Sequence, residues 1–353
     1  MNYKYTGIFA TLLISILMAC DTDRQKFEPP VFERIVTVKH TVIQDTLYIT
    51  NPEFLISFDN YIIILNRVDN KFLQVFDKQT GEHLGGYVAV GQGPGEMNEC
   101  MQVEYNKQGR TVTLYDSNSQ QYFIYTIHED SENFLQFDSK KNFADKNSIN
   151  QTMRRIMRIY RMDEIHCLFD SRTIPANKND QRFSLVTESG DVISEYRDFA
   201  TTSFDDYWAY SASHISISPD KRKMVSATYY GGVLEIFAID NSIKLIKAKY
   251  FYPIFYKDLK YTEETYWVFQ NICTSDEYIF TLLLGSKDIE AYKKLNHISV
   301  FNWQGEPVVR FTLEDDLMLL RLCYNEDDGA IYAVAWTQDY DYVLLKLEVS
   351  NYL

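Results

Sequence analysis

Tyr61-Ile62-Ile63-Ile64-Leu65, Thr111-Val112-Thr113-Leu114-Tyr115, Ile165-His166-Cys167-Leu168-Phe169, Met224-Val225-Ser226-Ala227-Thr228, Tyr278-Ile279-Phe280-Thr281-Leu282 and Ile331-Tyr332-Ala333-Val334-Ala335 decide the architecture of this chain. Each run is dominated by β-branched, aromatic and small apolar residues that suit a packed, pleated strand. Their starts are 50, 54, 59, 54 and 53 residues apart. A recurrence of that length marks a supersecondary unit repeated along the chain, and every later assignment depends on recognising it.

Working outward from each run, a second apolar strand follows and then a polar turn. Phe72 to Asp77 precedes Thr80-Gly81-Glu82, Phe183 to Thr187 precedes Ser189-Gly190-Asp191, and Ile298 to Asn302 precedes Gln304-Gly305-Glu306. Gly at these turns supplies the positive φ that a tight hairpin needs. A further strand comes next, as in 83–90 and 308–313. The unit is therefore a four-stranded antiparallel meander, which at this period is a propeller blade. The expected fold is all-β: a six-bladed β-propeller with four-stranded antiparallel blades. A pair of β-sandwiches would explain the strand content but not the period. The last unit supplies only three strands, 319–324, 331–336 and 342–349, whereas Phe32 to Val38 is a strand left over at the other end. Unpaired edges invite aggregation, so the ring is expected to close by an N-terminal strand in the last blade. On this reading the strand is 32–38, and deleting 31–40 opens the ring.

Composition agrees. Of 353 residues, 46% are hydrophobic and 24% charged, which excludes disorder, collagen and coiled coil. The aromatic share of 15% favours strands. A formal net charge of −14 argues against a general grip on nucleic-acid phosphates, and no nucleic-acid partner is expected.

The N-terminus carries an address. Lys4 is followed by an apolar run from Ile8 to Met18, about half the ~20 residues that span a bilayer, so the run reads as a signal-peptide core. It ends in Leu17-Met18-Ala19-Cys20. This resembles a bacterial lipobox, in which cleavage before Cys20 leaves a thiol that carries lipid. The expected organisation is a signal peptide over 1–19, a lipidated polar tether over 20–30 ending in Pro29-Pro30, and one propeller domain over 31–353. The expected location is the bacterial cell envelope, facing the periplasm or at the cell surface, with the membrane reached through the N-terminal lipid only. Cys100, Cys167, Cys273 and Cys323 lack a Cys-x-x-Cys spacing and read as buried free thiols.

At this point the chain resembles the TolB-like six-bladed β-propeller lipoproteins of unknown function. The resemblance rests on the lipobox, on Gly91-Gln92-Gly93-Pro94-Gly95-Glu96 after the first blade, and on Ser218-Pro219-Asp220 leading into Tyr229-Tyr230-Gly231-Gly232 and the strand after it. It implies fold and address and brings no catalytic residues. The Ser-Pro-Asp-Gly turn typical of TolB occurs once, with Lys221 in the Gly position.

Three groups are candidate ligand sites. Gly91, Gly93, Gly95 and Glu96 form a loop whose N–H groups would suit an anion, although the P-loop ending and the dinucleotide fingerprint are both missing. Arg154, Arg155, Arg158 and Arg161 fall where the innermost strand of the third blade should run. Alternation along a strand puts Arg154 and Arg158 on one face, toward the central channel, where guanidinium forks suit carboxylate, sulfate or phosphate. Pairing with Asp163 and Glu164 is the plainer alternative. Tyr207, Trp208 and Tyr210, near Asp205, Asp206 and His214, would stack on a sugar or peptide, or pack between blades. The six His residues are scattered without metal spacing, Asn325 to Gly329 lacks EF-hand spacing, and there is no Gly-x-Ser-x-Gly. No catalytic residue, metal or cofactor is expected. The leading expectation is a lipid-anchored interaction module for an envelope protein or an extracellular glycan or peptide ligand. The alternatives are a lactonase- or lyase-like propeller enzyme with a channel site drawn from several blades, and a glycan-capture accessory lipoprotein.

Overall fold

The computed structural model describes residues 26–128, 134–142, 154–173, 182–197, 213–257 and 260–353. The first blade comprises β3 (Phe54–Phe58), β4 (Tyr61–Val68), β5 (Lys71–Asp77) and β6 (His83–Ala89). The second comprises β7 (Gln102–Asn106), β8 (Thr111–Asp116), β9 (Gln121–Ile127) and β10 (Leu135–Asn142). The third is β11 (Arg154–Arg161), β12 (His166–Thr173), β13 (Phe183–Thr187) and β14 (Val192–Tyr196), and the fourth β15 (Ser213–Ile217), β16 (Lys223–Thr228), β17 (Val233–Ile239) and β18 (Ile243–Tyr250). After a two-stranded ribbon, β19 (Tyr256–Lys257) with β20 (Lys260–Tyr261), the fifth contains β21 (Trp267–Thr274), β22 (Tyr278–Ser286), β23 (His297–Asn302) and β24 (Pro307–Thr312). The sixth contains β25 (Met318–Asn325), β26 (Ala330–Trp336) and β27 (Tyr342–Glu348). The protein is an all-β six-bladed propeller, and within each blade the strands pair in chain order.

The six runs that carry the period fall on the second strand of their blades. That strand lies between two others in its own sheet and between two neighbouring blades, so both of its faces are covered. This is why the runs are mostly apolar, and why their small polar members Thr113, Ser226, Thr228 and Thr281 are buried too. Ile62, Ile63 and Ile64 are all fully buried, as are Ile331, Ala333, Val334 and Ala335. Outermost strands face solvent on one side and alternate, as in β10 and β18, where lysines protect the edge. Cys100, Cys167, Cys273 and Cys323 are free thiols; all but Cys273 are buried, and burial raises the pKa of each.

The ring closes by an N-terminal strand, but that strand lies one element further along than 32–38. β2 (His40–Leu47) pairs antiparallel with β27 and completes the sixth blade. β1 (Ile35–Thr37) instead runs parallel to β24 as a fifth strand of the neighbouring blade. The physical reason lies in Phe32 and Val38. Phe32 packs edge-on against Phe301, with the Arg310 guanidinium over its other face, while Val38 is buried in the core shared by the fifth and sixth blades. These anchors hold 32–38 to the fifth blade and release the chain into β2. Deleting 31–37 is therefore expected to cost about 3 kcal/mol, the scale of losing one buried Phe, with a single cooperative melt retained. Deleting 40–47 is expected to abolish the cooperative transition; thermal melts followed by near-UV circular dichroism distinguish the two.

Candidate functional site

In this meander the turns joining first to second and third to fourth strands lie on one face of the disc, and all other connections lie on the opposite face. The turn face is laced together. The Asp220 N–H donates to Asp276 Oδ1 (2.9 Å), the Asp276 N–H to Glu326 Oε1 (3.1 Å), and Lys107 Nζ to Asp327 (2.9 Å). The Ser-Pro-Asp turn belongs here: Ser218 Oγ donates to Asp220 Oδ1, and Lys221 adopts φ +60°. Only Gly takes that conformation without cost, which explains the Gly usual in such turns. Among the described residues the opposite face carries the connections 90–101, 251–257, 260–266 and 287–296.

Between the faces runs an axial cavity of about 410 Å³, walled by the first strand of every blade. Its polar wall includes Glu53, Gln102, Glu104, Arg158, His214, Asn271 and Arg321. First strands have one edge without a strand partner, so their backbone groups must find side chains. The Ile159 N–H donates to Gln102 Oε1 (2.9 Å), the Arg161 N–H to Glu104 Oε2 (3.2 Å) and the Leu322 N–H to Asn271 Oδ1 (2.9 Å). Arg158 Nη1 donates to Ser213 O (3.2 Å) and meets Asp170 Oδ2 at 3.3 Å. Arg321 differs in its partners, all of them neutral: Nε donates to Glu53 O (2.9 Å), Nη1 to Leu320 O (2.7 Å), and the Tyr292 hydroxyl also bonds the guanidinium. Burial lowers the Arg321 pKa against the opposing influence of Tyr292 and Glu53. Burial likewise raises the Glu53 carboxyl.

His214 lines the same cavity and feels the charge of both guanidiniums. Burial, then Arg158 and Arg321, press its pKa down to about 3, partly offset by a hydrogen bond to the Phe269 carbonyl. The ring nitrogen Nε2 is sealed from solvent and has no hydrogen-bond partner. Beside it rises an aromatic wall. The Tyr229 ring lies 6.0 Å from His214 and 5.3 Å from Trp267, and Tyr230 stacks on Tyr261 at 3.6 Å. Gly231 and Gly232, both at positive φ, make the turn that presents the two tyrosines. A Cβ on Gly231 would come within 2.2 Å of Ile254, and one on Gly232 within 2.6 Å of Val268.

The sequence candidates fare differently. Arg158 reaches the channel wall, as expected. Arg154 opens β11, paired with Thr173, and its side chain lies outside the described residues. A bulge between Ile156 and Arg158 breaks the simple alternation that put Arg154 and Arg158 on one face. Arg161 bonds the carbonyls of Asp163 and Glu164. In the glycine loop, Glu96 Oε2 accepts from the Gly93 N–H (2.9 Å), and a Cβ on Gly91 would meet that same oxygen at 2.0 Å. The carboxylate of Glu96 thus occupies the position an external anion would take, while Gly95 at φ +70° packs against Phe137. Tyr207, Trp208, Tyr210 and Cys20 lie outside the described residues. Arg321, His214 as a channel residue, and the Tyr229–Tyr230 wall were not singled out as sites. Their signal is positional, since Arg158, His214, Asn271 and Arg321 follow one another at about the blade period. Among the described residues no three His, Cys, Asp or Glu side chains stand close enough to hold a metal ion.

His214 is expected to stay neutral from pH 8 down to pH 4. The unfolded chain takes up this proton near 6.5, whereas the native state refuses it until about 3. His214 therefore withdraws stability as pH falls below 6.5. Ring-nitrogen NMR shifts of labelled His214 should not titrate between pH 8 and 4; a midpoint near 6.5 would contradict the burial.

The model of the family described as TolB-like 6-blade propeller-like matches residues 31–321. No curated protein matches the chain significantly. Among solved structures, an exported-protein candidate from Bacteroides fragilis NCTC 9343 is similar at 14% identity with a TM-score of 0.60, covering 92% of this chain and 98% of that one. A DUF4221 family member from Bacteroides vulgatus ATCC 8482 is similar at 12% identity and TM-score 0.55, covering 89% and 97%. The calcium-binding protein regucalcin from Agrobacterium tumefaciens C58 is similar at 10% identity and TM-score 0.52, covering 89% and 95%. At these identities the structures share the fold alone. With the family match spanning most of a ring whose blades, closure and channel are accounted for, this chain belongs to the TolB-like six-bladed propeller family.

Proposed function

We propose that the chain is a lipid-anchored cell-envelope propeller working as a non-catalytic binding module, which takes an envelope protein or an extracellular glycan or peptide ligand on its loop-bearing face. The observation that carries this reading is the asymmetry of the two faces. One is tied up in mutual contacts among its turns; the other combines long connections with an aromatic cluster whose Tyr229 lies beside His214 of the channel wall. Concave sites with a few convergent polar groups are the usual form of a ligand site. The Leu17 to Cys20 lipobox supports the anchor, and the likeness to an exported-protein candidate supports an envelope or exported location. The channel wall carries Arg158, Arg321 and Lys221 beside Glu53 and Glu104, a mixed polar lining suited to holding a ligand. Glycan capture is the second reading, favoured by the stacked Tyr230 and Tyr261 beside Trp267.

A photo-crosslinking amino acid placed at Tyr340, exposed on the loop face, or at Gln108, exposed on the turn face, tests the reading in cells. Adducts with one envelope partner are expected from Tyr340 and not from Gln108, and Cys20→Ser should remove them. Adducts from Gln108 alone would assign the binding surface to the wrong face, and adducts unaffected by Cys20→Ser would remove the role given to the anchor.

A further inference from the structure

We infer that the rim of the fourth and fifth blades, where the N-terminal tether arrives, is a docking surface for an anionic phospholipid bilayer, and that the anchored disc stands on this edge. The inference rests on the reading of Cys20 as a lipid anchor and adds an orientation to it. Its first support is the place where the tether is pinned. The Glu28 N–H donates to the Tyr250 carbonyl (2.8 Å) at the end of β18, and Phe32 is buried with Phe251 and Phe301 in the core between these blades. Glu28 follows Cys20 by only eight residues, so even a fully extended tether reaches about 28 Å. This rim therefore cannot leave the neighbourhood of the bilayer. A contact made on so short a tether is intramolecular, and weak interactions suffice for it.

The second support is charge. The whole chain carries a formal −14, yet residues 26–39 and β18 together hold six cations against two carboxylates, Glu28 and Glu33. Lys249 is taken up by Glu306 at 2.8 Å; Lys26, Arg34, Lys39, Lys244 and Lys247 are all exposed. Protection of an edge explains lysines on an outer strand, but not apolar side chains exposed among them. Those side chains are the third support. A bulge opposite Ile236 and Phe237 leaves Ile246 out of register in β18 and 55% exposed, and Val31 and Ile35 on the incoming segment are 74% and 60% exposed. Apolar side chains interspersed with cations suit the headgroup boundary of an anionic bilayer. An acidic protein would also suit the cations, but the tether already holds this rim beside lipid. Standing on it, the disc turns neither face to the membrane, and the loop-bearing face stays open to its partner.

Quenching of a bimane label by nitroxide-bearing lipid tests the inference on the full lipidated chain in vesicles of phosphatidylethanolamine and phosphatidylglycerol. The label is attached at Ile246→Cys or, as control, at Leu84→Cys, exposed on β6 of the first blade, which lies across the ring from the fourth. Quenching is expected at position 246 and not at 84. Lys244→Glu combined with Lys247→Glu should weaken the contact by about tenfold or more, since each cation near an anionic surface is worth about fivefold in partition. Vesicles of phosphatidylcholine alone should weaken it likewise. All four substituted side chains are exposed, and unchanged thermal melts verify the fold. Flotation of the vesicles reads the anchor separately. Protein that floats with its 246 label unquenched overturns the inference and leaves the anchor standing, whereas protein that does not float removes both. Equal quenching at the two positions would mean that the disc has no fixed edge. An emission shift at 246 that grows with protein concentration in the absence of vesicles would give the rim to a second copy of the chain, and either result overturns the inference.

Discussion

Every blade meets the axis with a strand that has a partner on one side only, and the rest of the molecule is arranged around satisfying those six edges. Buried N–H and C=O groups cannot be left without partners, and the space at the centre of a six-membered ring is too wide for the inner strands to pair with one another. Side chains from the neighbouring blade take over. Gln102 and Glu104 serve the third blade, Arg158 and Tyr160 reach the carbonyls of Ser213 and Ile215, and Thr274 binds Ile217. Asn271 serves Leu322, and Arg321 returns to the carbonyl of Glu53. The sequence of links passes round from the second blade to the first, where Tyr105 reaches Asp59 and completes it. β2 then closes the same ring from the rim by giving β27 a partner. Hub and rim are thus two solutions of one edge problem.

This constraint also sorts the channel residues. A polar side chain in the hub is by default a structural bridge, so its presence there says nothing about a ligand. What remains after the bridges are set aside is small: the Nε2 nitrogens of Gln102 and His214, both sealed within the wall and without a hydrogen-bond partner. Both lie near the start of a first strand, at the end where the chain enters from the loop-bearing face. The opposite end is occupied by turns bonded to one another, and Lys221 accepts a left-handed backbone within that network. One face is thus given over to holding the ring.

The same physics explains what was legible in the sequence. Second strands are covered on both faces, so their residues are mostly apolar or small and stand out six times; the period followed directly. The closing strand was misplaced by one element because β1 and β2 are both plausible strands. Anchoring by Phe32 and Val38, a long-range packing effect, decides which of them reaches the sixth blade. Arg158 was legible because four arginines crowd one strand, but its relation to Arg154 depended on a bulge that no composition reveals. Arg321 and His214 were harder to find because each blade contributes about one residue to the hub. A site assembled in that way has no local motif, and its members are separated by the length of the repeat itself.

The charge of the chain then shapes what can use the mouth. The formal charge is −14 over the whole sequence, whereas the channel wall carries Arg158, Arg321 and Lys221 against Glu53 and Glu104. At physiological ionic strength the field of surface charges fades within about 8 Å. An extended polyanion laid across the disc would stay within that distance of the acidic exterior along its length and be repelled. Within the hub the two signs are interleaved instead, Arg158 meeting Asp170 and Arg321 feeling Glu53, and the lower dielectric strengthens each of these contacts.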